Sequence, residues 1–94
     1  MKITKDNPRG DYQEALKSFM QIEFRKTRSE LGYTQSQMAE LLKIDVRSYR
    51  SLEKGEYSCS ALSLALYITY CCPDVTILSD GFKKLFEENQ NSVA

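Results

Sequence analysis

The chain has 94 residues, 41% apolar and 28% charged, with 13 cationic and 13 anionic side chains and neither His nor Trp. This length and composition suit one small globular domain rather than a disordered tail. The absence of His excludes Ser-His and Cys-His nucleophile pairs and His metal ligands, and a net charge of zero excludes strong indiscriminate binding of polyanions.

Residues 1–10 are polar and read as a flexible N-terminal arm whose Lys2, Lys5 and Arg9 could reach a nucleic acid. Asp11 is suited to cap a first helix with Leu16, Phe19, Met20, Phe24 and Leu31 at helical spacing, and Gly32 supplies its left-handed stop. Thr34 and Gln37 form a capping-box pattern for a short second helix that should bury Met38, Ala39, Leu41 and Leu42. After a break at Lys43 and Ile44, Asp45 caps a third helix that ends before Gly55. A fourth helix is predicted over about 60–71, before Pro73, and a fifth over about 79–88. No segment alternates with period two long enough to argue for a strand. The expected fold is all-α, a compact five-helix bundle, with a core domain over 11–72 and a C-terminal helical extension over 73–94.

The N-terminus has no apolar secretion-type segment, and the longest apolar stretch, 61–72, is far short of the about 20 residues a bilayer span needs. A soluble cytoplasmic protein with no membrane partner is expected. Cys59, Cys71 and Cys72 read as small apolar residues in a reducing compartment, since three thiols without His do not close a tetrahedral zinc site. Asp74, Asp80, Glu87 and Glu88 have no metal-ligand spacing. Neither catalysis, a metal nor a cofactor is expected.

The informative stretch is 31–55, where two short helices joined by a few residues have helix-turn-helix anatomy. At 100° per residue, Asp45, Tyr49, Leu52 and Glu53 fall on one side of the third helix, with Tyr49 and Leu52 suited to pack inward. Val46, Arg47, Arg50, Ser51 and Lys54 fall on the other, a stripe with three cations and no anion. Such a helix fits a DNA major groove, and Arg is shaped to grip guanine bidentately. An ordinary solvated face is the competing explanation for the stripe alone.

The run Phe24-Arg25-Lys26-Thr27-Arg28-Ser29-Glu30-Leu31-Gly32-Tyr33-Thr34-Gln35 resembles the first-helix and turn signature of the Cro/repressor-type (xenobiotic-response-element) helix-turn-helix family. The likeness continues through Met38-Ala39-Glu40-Leu41-Leu42 and Ser48-Tyr49-Arg50-Ser51-Leu52-Glu53-Lys54-Gly55, covering about residues 20–72. It implies a lambda-repressor-like bundle that binds double-stranded DNA. By position, the resemblance makes Val46, Arg47, Arg50 and Ser51 base-facing, with Arg47 the foremost reader and Val46 suited to a thymine methyl. It makes Thr34, Gln35, Lys54 and Ser58 phosphate contacts. Arg28 and Glu53 match a pair that bridges the first and third helices, so an ion pair is preferred to a phosphate contact for Arg28.

Three departures from the family pattern stand out. Lys43 replaces the glycine usual in the inter-helix turn, which implies a looser or modestly strained turn. Thr27 replaces a large aliphatic, a smaller core contribution that Tyr33 or Tyr49 is expected to offset. Asp45 replaces Ser or Thr as cap and brings a charge unfavourable near phosphates.

The fourth helix is apolar nearly all round, with one stripe of Leu62, Ala65 and Leu66 and another of Leu64, Ile68 and Cys71. One stripe should cover the helix-turn-helix. The other should meet the C-terminal segment (Ile77, Leu78, Phe82, Leu85, Phe86), a second subunit, or both. Tyr49, Tyr57, Tyr67 and Tyr70 are expected as packing residues. The expected function is a sequence-specific DNA-binding transcriptional regulator, a repressor, acting as a homodimer through the fourth and fifth helices. The alternative is a protein-interaction module on the same fold, such as the antitoxin of a toxin–antitoxin pair or a phage-encoded adaptor. Residues 1–57 carry eleven cations against nine anions and residues 58–94 two against four, so the zero net charge averages unlike ends.

Overall fold

In the computed structural model residues 8–72 and 74–91 are described, and they form five helices with no strand among them. These are α1 (Pro8–Leu31), α2 (Gln35–Leu41), α3 (Val46–Glu53), α4 (Ala61–Tyr70) and α5 (Val75–Asn91). The all-α, five-helix expectation holds. Residues 1–7 of the expected arm, with Lys2 and Lys5, lie outside the described residues, whereas 8–10 are helical. Helix α1 thus begins at Pro8, a residue well suited to a first turn, and Asp11 lies within that turn rather than capping it. Its negative charge there meets the positive end of the helix.

Caps fix the middle helices. The Thr34 hydroxyl accepts from the Gln37 N–H and the Gln37 side chain accepts from the Thr34 N–H, at 3.1 and 2.8 Å, completing the expected capping box. Asp45 accepts from the Ser48 N–H at 2.7 Å, and Ser60 accepts from the Ser63 N–H at 3.1 Å. Helix α5 starts earlier and runs longer than expected. Asp74 accepts from the Thr76 N–H at 2.9 Å, so the apolar Val75, Ile77 and Leu78 belong to the helix.

Helices α1, α2 and α3 all end in the same Schellman hydrogen-bond pattern. In each, the left-handed residue donates three residues back and its successor five back: Gly32 and Tyr33, Lys43 and Ile44, Gly55 and Glu56. The glycines sit at φ +70° and +73°, and Lys43 at φ +59° is the one non-glycine with positive φ among the described residues. The strained-turn expectation is therefore correct, and the strain has a specific location.

Helix α3 packs against α1 and α2, α5 against α1, and α2 against α4. Phe24, 1% exposed, sits at the centre of the core and meets Tyr49 and Tyr67 edge-on, with ring centroids 6.0 and 5.1 Å away. Met20, Met38, Ala39, Leu42, Leu52, Cys71 and Leu78 complete the buried cluster. A second aromatic seam runs along α1 and α5, where Phe19 meets Phe82 and Tyr12 meets Phe86, both at 5.3 Å. Gly81 permits this approach, because a Cβ there would lie 2.8 Å from the Phe19 ring.

The inward face of α4 coincides with the expected stripes only at Cys71. It consists of Ser63, Tyr67 and Cys71, all buried, while Leu62 is 64% exposed and Ala65 is exposed too. Leu64, Leu66 and Ile68 are half-buried on the flanks. Tyr67 enters because its hydroxyl has a partner: it lies 2.6 Å from the hydroxyl of buried Thr27. Burial pushes the Tyr67 phenol up to about 12, against the opposing pull of that bond. The compensation for a small residue at position 27 therefore comes from Tyr67, not from Tyr33 or Tyr49. Tyr57 and Tyr70, expected to pack, are exposed instead. No helix among the described residues is long and apolar enough to cross a membrane.

Candidate nucleic-acid interface

Helix α3 buries Tyr49, Leu52 and Glu53, as its spacing predicts. On the opposite side Arg47, Arg50 and Lys54 are exposed, and none of the three is ion-paired among the described residues. Val46 and Ser51 are only half-exposed, and Val46 packs against the core, so the free stripe is narrower than expected. Asp45, Val46, Arg47 and Arg50 line a shallow surface concavity. The Asp45 carboxyl is held below its ordinary value chiefly by the Ser48 N–H, with Arg47 adding to the effect, so one negative charge stays at the rim.

The buried end of the site is an ion pair. Arg28 donates from Nε to Glu53 Oε2 at 2.6 Å and from Nη2 to Oε1 at 3.1 Å, while its Nη1 donates to the Tyr33 carbonyl at 3.3 Å. All three guanidinium nitrogens are thus committed within the fold, as the preferred expectation for Arg28 requires. Burial pulls the Glu53 carboxyl up, but the bonds from Arg28 and Gln35 and the nearby Tyr49 hydroxyl outweigh it and hold the group below the usual range. The guanidinium of Arg28 is raised, mainly by its bond to Glu53. The Tyr49 hydroxyl is buried beside both groups without a hydrogen bond of acceptable geometry, and burial raises it strongly.

Gln35 links this pair to the surface. Its Nε2 donates to Glu53 Oε1 at 3.3 Å, and its Oε1 accepts from Arg50 Nε at 3.2 Å. Sequence reasoning treated Gln35 and Arg50 as separate contacts; the fold joins them. Thr34 and Lys54 are exposed at the start of α2 and the end of α3. Ser58 is exposed in the following loop, and no hydrogen bond among the described residues ties it to the others. A further contact was not foreseen: Tyr57 Oη donates to the Ser48 carbonyl at 2.7 Å, pinning that loop to α3. Phenol-to-carbonyl contacts of this kind leave no pattern in sequence.

Among the described residues no group of three potential ligands could hold a metal, and the three cysteines are free thiols. Burial raises the Cys59 and Cys71 thiols, a shift away from the nucleophilic thiolate. Comparison of the chain with protein-family models, curated proteins and solved structures gives no match.

Proposed function

We propose that the chain is a sequence-specific DNA-binding transcriptional regulator, a repressor, that lays α3 in the major groove of double-stranded DNA. One observation carries this reading: Arg47, Arg50 and Lys54 stand exposed, with no ion pair among the described residues, on one side of a helix anchored on the other by Tyr49, Leu52 and Glu53. A rigid helix with an outward cationic stripe suits base-edge readout and phosphate contact together. Arg47 is the foremost base reader. Arg50 and Lys54 grip the flanking backbone or bases, with Val46 and Ser51 at the edge of the contact. Thr34 and Ser58 are suited to phosphates.

The working form is a homodimer, as two-half-site recognition favours. Leu62 and Tyr70 on α4 and Val75 and Ile77 on α5 are 49–69% exposed, large apolar side chains available to a second copy. The same exposed residues support the second reading, a protein-interaction module. Selection from random duplex DNA at two salt concentrations tests the choice. Enrichment of a palindrome supports the regulator, and Arg47→Ala should then cost roughly 1–3 kcal/mol and relax preference at one position. If no sequence is enriched at either salt, DNA readout is wrong.

A further inference from the structure

Resting on the DNA-binding reading, we infer that Gln35 is a positioning residue that acts through Arg50 and does not itself grip DNA. A carboxamide offers one donor end and one acceptor end. Here both ends are used: Nε2 donates to Glu53 Oε1 and Oε1 accepts from Arg50 Nε. Glu53 is 3% exposed and clamped from the other side by Arg28, so it is a fixed anchor. An anchored acceptor on Glu53 dictates which way the Gln35 amide faces. With its nitrogen toward the carboxylate, its oxygen must face outward to Arg50. The result is a line of side chains running from α1 through α3 and α2 and back to the surface of α3.

The bond to Arg50 uses only Nε, and among the described residues neither terminal nitrogen of that guanidinium is bonded, so both are open to DNA. A long, exposed Arg otherwise samples many rotamers, and ordering it on binding weakens affinity. Gln35 removes much of that cost beforehand. Its amide nitrogen keeps a second N–H beyond the one given to Glu53, so a direct phosphate contact is the rival role that the test must separate from positioning.

A double-variant cycle separates this role from a direct contact. The probe is the duplex most enriched by the wild-type protein in random selection. Gln35→Met keeps length and helix propensity but removes both bonds, and should weaken binding about three- to tenfold. In an Arg50→Ala background the same change should alter Kd by less than about twofold, because nothing remains to position. Thermal unfolding of each variant confirms that it is folded at the assay temperature. Gln35→Asn, which is too short to make both bonds, replaces Gln35→Met if that variant does not fold. Equal losses in the two backgrounds overturn the inference and return Gln35 to direct DNA contact. An unchanged Kd for Gln35→Met with Arg50 present also overturns it. If selection with wild-type protein enriches no duplex, the DNA-binding reading itself fails.

Discussion

Replacing Arg28 with Met removes the one charged partner, among the described residues, of a carboxylate that is 3% exposed. The lost bonds are those from Nε and Nη2 to Glu53 and from Nη1 to the Tyr33 carbonyl, leaving Glu53 with the Gln35 bond at 3.3 Å and the nearby Tyr49 hydroxyl. Orphaning a fully buried charge costs about 3–5 kcal/mol. The Arg28 side chain is 29% exposed, so water can reach part of the space it vacates. The expected loss therefore falls to just below that range, about 2–3 kcal/mol. A domain of this size is stable by roughly 5–14 kcal/mol, so the variant should fold but melt about 10–20 °C lower. The reciprocal change, Glu53→Gln, should cost less, because the stranded charge is then the half-exposed guanidinium, which can turn to solvent. Urea unfolding followed by helical circular dichroism measures both, and the midpoint should move without a change in slope. Arg28→Met within about 0.5 kcal/mol of wild type would refute the anchoring role. So would a larger loss for Glu53→Gln than for Arg28→Met.

Acid should remove the same contribution. Glu53 titrates below its unfolded value, so its stabilisation is full above the ordinary glutamate pKa of about 4.3 and is lost as pH falls through the lower folded value. Glu53→Gln should therefore flatten the fall in melting temperature below about pH 4, a comparison that calorimetry makes directly. Thr27→Val strands the Tyr67 hydroxyl and should cost about 1–2 kcal/mol, whereas Thr27→Val with Tyr67→Phe should recover most of it. Double-variant urea curves that are simply additive would contradict this. Lys43→Gly should raise stability by about 0.5 kcal/mol, the relief of a left-handed lysine less the added freedom of the unfolded chain. A lower urea midpoint for that variant would mean that the lysine side chain makes a stabilising contact.

Where one element ends and the next begins was readable because those signals are local. Thr34 with Gln37 and Asp45 with Ser48 make their bonds within three residues, and the sequence carries both partners side by side. Helix α5 is longer than expected because its start is set by Asp74 directly after Pro73 in sequence, where the expectation placed no cap. The face of α4 was misread for a different reason. A helix that is apolar nearly all round has no contrast from which to choose a face, and the choice fell to Tyr67. That phenol is buried because Thr27, forty residues earlier, gives its hydroxyl a partner. Leu62 yielded its place to a larger ring with a satisfied polar end.

The candidate site divides along the same line between local and distant information. Angular spacing alone separates Arg47, Arg50 and Lys54 from Tyr49, Leu52 and Glu53, because both sets lie on one helix. Rotamers across three helices decide what Gln35 does, and no spacing encodes them. Two cations treated alike at the level of charge, Arg28 and Arg50, therefore diverge in the fold. Arg28 spends every nitrogen inside the protein, whereas among the described residues Arg50 spends only Nε. The zero net charge conceals this difference. What bears on the proposed binding is how many cations the fold leaves uncommitted on one face, and the pairing of Arg28 with buried Glu53 helps Tyr49 and Leu52 hold that face in place.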